Sequence, residues 1–355
     1  MIVYCYELDN SERVCFGLSP VQKAWRRVEI ECSPYSDCSA SVYLDGACVK
    51  KLVVSGANEY RECDLCEPYF NQGSLYLSAK DGDGRFPRLT YENIRFACPV
   101  GITLSYSKKY ICLYSLKSRR NYYMSCYDAV SLESFGDFRS WVSDWCADTS
   151  ADDISKIEEF ASLPGNTQLL KEGDFFRFRC NRRTYGYGRI LADYTNSPEV
   201  DILKGRTFAV CVYAVTDSKG SKTPEELVDA PALPSYPVLA DGFENGDYDM
   251  IGNLPIDEHT VDYPPVCAFL GDRSVLLIGH RIVTIENKDD LGIGYCNSVS
   301  GVLNADLKLI SSCIASKSIL PYWEQDRFFV KNDLRAPFNG AYLEKFKLKY
   351  NSIYL

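Results

Sequence analysis

Histidine is nearly absent from this chain of 355 residues, which contains only two, His259 and His280. A Ser–His or Cys–His hydrolase needs an imidazole close to its nucleophile, and neither histidine stands beside a recognisable nucleophile motif. The chain also lacks a glycine-rich phosphate loop, a dinucleotide-binding fingerprint and a metal-binding histidine pair. We therefore expect neither an enzyme nor a bound cofactor, although the many acidic residues leave a hydrolase with two catalytic carboxylates open.

Long apolar segments are missing as well. No run approaches the roughly 20 residues that would span a bilayer. The first nine residues place an acid where a secretory signal needs a basic and then an apolar segment. We expect a cytoplasmic protein with no membrane partner, whose 16 cysteines are reduced thiols.

Cysteine is concentrated towards the start of the chain, with Cys146 as the last member of the dense region. Cys63 and Cys66 have zinc-knuckle spacing, and Cys32 and Cys38 could complete a four-thiolate site. The wide spacing of that second pair and the absence of histidine before residue 259 favour the alternative, in which no metal binds and free cysteines pack as small hydrophobes.

The length of the chain predicts two domains, because a single core rarely grows past about 250–300 residues. Residues 1–130 contain short, regularly spaced β-patterns at 41–49, 75–77, 94–96, 102–106 and 110–114. The first of them is a hairpin around Asp45-Gly46, whose residues tolerate the positive φ angles of a tight turn. This spacing predicts a cysteine-rich antiparallel sandwich or barrel within an α+β, mostly β protein.

A helical period follows at residues 131–165, which we interpret as a linker between the domains. Its first helix covers about 131–147, and Asp152 is the predicted N-cap of the second helix, which ends at Leu163-Pro164-Gly165. The apolar side chains that define the period are Leu132, Phe135, Phe138, Trp141, Val142, Trp145, Ile154, Ile157 and Phe160. We expect the two tryptophans to pack in a core or between domains.

Strands return in residues 166–355, at 175–179, 188–193, 208–214 and 274–284, and predict a twisted antiparallel sheet or barrel. Three motifs stand out: Glu172-Gly173-Asp174-Phe175, Tyr185-Gly186-Tyr187-Gly188-Arg189 and Ile251-Gly252-Asn253-Leu254-Pro255. In this order they resemble the immunity protein 26 family, bacterial proteins that neutralise polymorphic toxins. The resemblance covers about residue 168 to the end. It implies a protein that binds and blocks another protein and catalyses nothing.

A proline-containing segment between Ser221 and Asp262 shows little periodicity, and we predict a long surface loop there. From Lys222 to Asp262 it carries ten acidic residues and one lysine, a local charge equal to the −9 of the whole chain. Such a surface attracts basic partners and speeds their association. The predicted toxin-binding residues are Tyr236, Asp241, Phe243, Glu244, Asp247, Tyr248 and Asp249, with the aromatic side chains as anchors.

Several alternatives to this interpretation stay open. The acidic segment could simply maintain solubility, or could bind calcium, although its acids lack EF-hand spacing. Five arginines among aromatic residues at 177–189 could contact nucleic acid, but a pI near 5.0 and ordinary amphipathic alternation argue against it. A regulatory protein with another protein partner is the nearest competitor. We favour a cognate toxin that acts in the cytosol, as a nuclease or nucleotide-modifying enzyme.

Overall fold

The computed structural model describes residues 6–32, 37–107, 110–125, 130, 132–164, 169–194, 207–230, 232, 236–244, 246–256, 266–270, 273–278 and 281–285. The chain divides into two compact units, Met1–Asn166 and Thr167–Leu355. The predicted α+β, mostly β class is confirmed, because antiparallel sheets dominate and short helices accompany them. No sheet in the described ranges closes into a barrel. Over those same ranges, none of the helices has the length and apolar character needed to cross a bilayer.

The first unit is built on one eight-stranded antiparallel sheet with the order β1-β2-β3-β4-β6-β7-β8, and β5 pairs with the end of β4. Its elements are α1 (Asn10–Cys15), β1 (Arg26–Ile30), β2 (Cys38–Asp45), β3 (Cys48–Gly56), β4 (Glu59–Asn71), β5 (Leu75–Leu77), α2 (Tyr91–Ile94), β6 (Val100–Ser107), β7 (Tyr110–Ser115), β8 (Arg120–Met124), α3 (Phe135–Asp148) and α4 (Ala151–Ser162). The predicted hairpin turn is confirmed, with Gly46 at φ +57° between β2 and β3.

The strand predicted at 94–96 is wrong. Ile94 ends the short helix α2, and its backbone N–H donates to the carbonyl of Thr90 at 3.0 Å. That hydrogen bond spans four residues, as in a helix, so the backbone of Ile94 does not enter a strand ladder. Ile94 is fully buried in the core from this helical turn, whereas Phe96 is 76% exposed.

Helices α3 and α4, predicted as a linker, contribute to the core of the first unit. Phe138, Val142 and Ile157 are fully buried there, on the sheet face that also carries Tyr60 and Tyr106. Helices therefore supply the second layer over this face, where the sequence predicted the second sheet of a sandwich or the wall of a barrel. The apolar faces of α3 and α4 cover the sheet in the way that the second sheet of a sandwich would.

The tryptophans of α3 lie in this core, as predicted. Trp145 stacks on Phe16 with ring centroids 5.7 Å apart and donates through Nε1 to the carbonyl of Cys15 at 3.1 Å. The N-cap prediction is off by two residues. Ser150, not Asp152, caps α4, and Asp153 completes a capping box with it.

A cluster of buried charges ties α1 to the sheet. Lys51, on β3, is fully buried and lies 2.9 Å from the Glu62 carboxylate and 2.6 Å from Asp64. Arg13, on α1, pairs with Glu62 at 2.6 Å and with Glu7 at 2.5 Å. Tyr60 donates a further hydrogen bond to Glu62. We call these residues, Glu7, Arg13, Lys51, Tyr60, Glu62 and Asp64, the buried ion cluster.

The second unit contains a five-stranded antiparallel sheet with the order β12-β11-β10-β9-β13, and a three-stranded sheet with the order β14-β15-β16. Its elements are β9 (Asp174–Arg179), β10 (Tyr185–Asp193), β11 (Thr207–Asp217), α5 (Pro224–Leu227), β12 (Tyr236–Leu239), α6 (Asp241–Glu244), β13 (Tyr248–Asn253), β14 (Val266–Leu270), β15 (Arg273–Ile278) and β16 (Arg281–Ile285). The single strand predicted at 274–284 is instead the hairpin β15–β16.

Both faces of the five-stranded sheet are buried. One face carries Phe176, Phe178, Val210 and Tyr248, which pack with Phe243 of α6. The other face carries Phe175, Tyr187, Leu191 and Tyr213, which pack with Leu227 of α5. The inward orientation predicted for Phe176 and Phe178 is confirmed, while the intervening Arg177 is only half-buried. The sheet is thus an internal layer of the second unit.

Candidate functional site

The first of the three sequence motifs forms a tight turn that opens β9. The backbone N–H of Lys171 donates to the Asp174 carboxylate at 2.9 Å, and the N–H of Asp174 donates to the Lys171 carbonyl at 3.2 Å. Gly173, between them, has φ +84°. Its N–H donates to the carbonyl of Ile190 at 2.9 Å, so the turn is fastened to β10.

The third motif docks against this turn from the end of β13. The side-chain amide of Asn253 donates to the Glu172 carbonyl at 2.9 Å and to the Asp174 carboxylate at 2.8 Å. The N–H of Leu254 donates to the Gly173 carbonyl at 3.2 Å. A Cβ atom at position 173 would lie 2.2 Å from the Leu254 carbonyl oxygen. Glycine is therefore required at 173 by its φ angle and by this close approach.

The second motif contributes Arg189 to the same place. Its side chain is buried, and Nη2 donates to the carbonyls of Leu254 and Pro255 at 2.8 and 2.9 Å. The guanidinium lies over the ring of Phe175, 4.6 Å from its centroid. All three motifs thus meet at one end of the sheet. We call this group, Glu172, Gly173, Asp174, Arg189, Asn253, Leu254 and Pro255, the motif clamp.

The two glycines of the second motif serve packing across the sheet. A Cβ atom at Gly186 would lie 2.6 Å from the ring of Phe178, and one at Gly188 would lie 2.3 Å from the ring of Phe176. The phenylalanines of β9 therefore cover the bare backbone of β10. A larger residue at either position would displace a fully packed ring.

The contacts of the motif clamp hold the fold together. The Arg189 and Asn253 side chains donate to backbone carbonyls. The Asp174 carboxylate accepts from the N–H of Lys171 and the side chain of Asn253, and the Glu172 carboxylate accepts from the N–H of Asp193. Nearby, the Tyr187 hydroxyl donates to Asp217 at 2.8 Å, and burial raises the pKa of Tyr187 above its ordinary value. A phenol held in the protonated form donates a hydrogen bond and is a poor general base.

The arginine cluster at 177–189 is used largely within the unit. Arg177 pairs with Asp249 through Nε and Nη2 at 3.3 Å and donates to the Gly220 carbonyl at 2.7 Å. The guanidinium groups of Arg177 and Arg179 lie 5.3 and 4.6 Å from the ring centroid of Tyr185. The guanidinium groups of Arg177 and Arg179 therefore interact largely with other groups of the second unit.

The acidic segment is not the loop that its composition predicts. Residues 221–256 include α5, β12, α6 and β13, because short apolar pieces pair with and pack against the sheet without a visible period. Helices α5 and α6 both contact β13, and the ring of Pro224 occupies the space beside Gly252. Among the side chains of this segment that the structure describes, the exposed acids are Glu225, Glu226, Asp229 and Glu244. We call these four residues the acidic face.

The predicted toxin-binding residues divide into different environments. Phe243 and Tyr248 are 2% and 4% exposed and pack on Phe176 in the core, so their predicted surface position is wrong. Glu244 is exposed, and Asp247 and Asp249 are half-buried. The side chains of Tyr236 and Asp241 lie outside the described residues. Because the surrounding residues are mostly acidic, the sequence did not indicate that Phe243 and Tyr248 lie in the core.

The four cysteines considered for zinc do not come together. Cys32 lies beside Cys38, with sulfur atoms 3.9 Å apart, and Cys66 lies beside Cys48 at 3.8 Å. Cys63 is buried in the core, and burial raises the pKa of its thiol to about 11. Across the described ranges, no group of three or more His, Cys, Asp and Glu side chains could hold a metal ion. His259 and His280 lie outside those ranges.

Comparison with known proteins points to one family. The family model described as Immunity protein 26 matches residues 171–274. This segment includes the motif clamp and the five-stranded sheet, so the resemblance predicted from the three motifs is confirmed for it. Searches of curated proteins and of solved structures each returned no match.

Proposed function

We propose that this chain is an immunity protein that binds a cognate polymorphic toxin in the cytoplasm and neutralises it without catalysing a reaction. The observation that carries the proposal is the match of residues 171–274 to Immunity protein 26. A toxin that acts in the cytoplasm would be a nuclease or a nucleotide-modifying enzyme. Occlusion of its active site or substrate groove is the mechanism that a non-catalytic binding protein can supply.

The internal use of the motif residues supports a division of labour within the second unit. The motif clamp is engaged with backbone groups of β9, β10 and the end of β13, so we assign it to holding the sheet rather than to contacting the toxin. Binding then falls to the exposed side chains around the clamped sheet. Preorganisation of that surface would lower the cost of association.

We place the toxin contact at the acidic face. Glu225, Asp229 and Glu244 are exposed. Glu225 and Glu244 lie on α5 and α6, which both contact the edge strand β13, and Asp229 lies just after α5. A nuclease binds a polyanion and therefore presents cations at its substrate groove. Opposite charge across the interface would accelerate association and give it a strong dependence on salt.

The first experiment tests neutralisation itself. The full chain is co-expressed with the protein encoded beside its gene, and cell survival is scored. We expect survival with the full chain and death without it. Death in both cases would overturn the immunity proposal. An adjacent protein that is harmless but co-purifies with the chain would instead favour a regulatory partner.

A triple charge variant then tests the acidic face. Glu225→Gln, Asp229→Asn and Glu244→Gln together should leave the fold intact and slow association with the toxin roughly tenfold at low salt. The matched control neutralises Asp144, Glu158 and Glu159, three exposed acids of the first unit. Equal association rates for the two variants would move the interface elsewhere while leaving the immunity function intact.

A further inference from the structure

Two cysteines face each other at the end of the β1–β2 hairpin where β1 connects to β2. In the register of this pair, Arg26 lies opposite Leu44 and Ile30 lies opposite Ala40. The same register, continued two residues beyond the last pair, sets Cys32 opposite Cys38. Their sulfur atoms are 3.9 Å apart. Directly opposed residues of antiparallel strands have Cα atoms about 4.5–5.5 Å apart, which is within the range that a disulfide spans.

The surroundings of this pair also favour a cross-link. Both thiols are partly buried, and they pack against the core cluster that contains Val42, Leu44 and Leu52. Val28 and Ile30 precede Cys32 on the same side of β1. Neighbouring side chains therefore hold both sulfur atoms on one face of the hairpin. Only a small movement separates the present contact from a covalent bond.

Cys32 does not have the character of the attacking thiol of a redox catalyst. Burial, reinforced by the neighbouring Cys38, raises the pKa of the Cys32 thiol to about 12. Exchange catalysts instead keep a thiolate available near neutral pH. Once formed, a bond in this partly buried position would be exchanged slowly. Its role would be to stabilise the hairpin.

We propose that Cys32 and Cys38 form a disulfide when the protein meets a disulfide oxidant. The Cys38 thiolate attacks one sulfur of oxidised glutathione, which forms a mixed disulfide and releases one reduced glutathione. The Cys32 sulfur then loses its proton and displaces the second glutathione. The balance is two protein thiols and one oxidised glutathione in, and one protein disulfide and two reduced glutathiones out. Both electrons of the protein oxidation go to glutathione.

The test uses the folded full chain and differential alkylation. The protein is incubated with excess oxidised glutathione, free thiols are blocked with N-ethylmaleimide, and disulfides are reduced and labelled with iodoacetamide. Tryptic cleavage after Arg27 and Lys50 leaves Cys32, Cys38 and Cys48 in one peptide, where fragment masses identify each label. We expect the second label on Cys32 and Cys38 in equal amounts, and no glutathione adduct on either residue before reduction.

Two variants make the result specific. Cys32→Ser should remove the second label from Cys38 or replace the cross-link by a glutathione adduct, because the partner sulfur is gone. Cys98→Ser, a change at an exposed thiol elsewhere in the unit, should leave the cross-link unchanged. Maleimide on both Cys32 and Cys38 after oxidation, under conditions in which Cys98 reacts with glutathione, would overturn the proposal. Persistent cross-linking of Cys38 in the Cys32→Ser variant would also overturn it.

Discussion

In each of the two units, another segment of the chain is held against an antiparallel sheet, but the interactions that hold it differ. In the first unit, Arg13 brings α1 onto the sheet through paired charges that include the fully buried Lys51 and Glu62. In the second unit, side-chain donors meet backbone carbonyls at the motif clamp, where Asn253 and the Arg189 guanidinium supply the hydrogen bonds. The first arrangement depends on electrostatic balance, and the second depends on close backbone approach.

This difference predicts how each unit fails. Burial alone would lower the pKa of Arg13, but the carboxylates of Glu62 and Glu7 outweigh it and raise that pKa. Removal of one charge therefore leaves its partners uncompensated in a dry environment. A defect in the motif clamp would act instead through steric conflict and lost hydrogen bonds. The largest effects should come from the buried charges.

The first prediction breaks the buried ion cluster. Glu62→Ala leaves Lys51 and Arg13 without a shared carboxylate and should cost about 3–5 kcal/mol of unfolding free energy. Urea unfolding followed by tryptophan fluorescence reports mainly on the first unit, which contains three of the four tryptophans, Trp25, Trp141 and Trp145. The control is Glu31→Ala, because Glu31 pairs with Arg88 at the surface, where the loss should stay below about 1 kcal/mol. Similar losses for the two variants would contradict the electrostatic account.

The second prediction tests close approach in the motif clamp. Gly173→Ala should cost about 3 kcal/mol, since it adds strain at positive φ to a clash with the Leu254 carbonyl. Gly46→Ala is the matched control: φ is +57° there, but nothing lies within 4 Å of the added Cβ. It should cost only about 1–2 kcal/mol. If both changes cost the same, the clash contributes nothing.

The third prediction concerns the hydrogen bonds of Asn253. Asn253→Ala removes donors to the Glu172 carbonyl and the Asp174 carboxylate and should cost about 2 kcal/mol. A double-mutant cycle with Asp174→Ala, measured by urea unfolding, isolates the side-chain pair. Strict additivity of the two single changes would argue that Asn253 stabilises the second unit in some other way.

The smallest predicted effect distinguishes two candidate caps of α4. Ser150→Ala should cost about 1 kcal/mol, because the Ser150 hydroxyl accepts from the N–H of Asp153. Asp152→Ala, at the position that the sequence suggested, should cost less than about 0.5 kcal/mol, since its pair with Lys156 is exposed. Thermal unfolding of the two variants gives the comparison. A larger loss for Asp152→Ala would restore the original assignment.

Local features of the fold could be predicted from the sequence, and contacts between distant residues could not. The Asp45-Gly46 turn and the alternation of Phe176 and Phe178 with arginines each follow from a few adjacent residues. The bond from Asn253 to Glu172, by contrast, joins positions 81 residues apart. Neither local propensity nor periodicity contains that information. The three motifs indicated a family before their shared location was visible.

The acidic segment shows a second limit of sequence reasoning. Phe243 and Tyr248 stand among carboxylates, and the elements that carry them, α6 and β13, span four and six residues. Four residues are too short to show a helical period, and the sequence of β13, Tyr-Asp-Met-Ile-Gly-Asn, does not alternate between apolar and polar residues. The high density of acidic residues consequently led to the prediction of a surface loop, although Phe243 and Tyr248 are buried. The structure separates the two signals, with Glu244 exposed and Phe243 in the core.

Hydrogen–deuterium exchange on the full chain is the most direct test of the central claim, that the second unit binds a toxin. The probe is the protein encoded beside this gene, carrying an inactivating substitution in its own active site. We predict that its binding slows exchange in residues 222–256, around the acidic face, and leaves residues 6–164 unchanged. Protection confined to residues 6–164, with unchanged exchange in 222–256, would contradict the account.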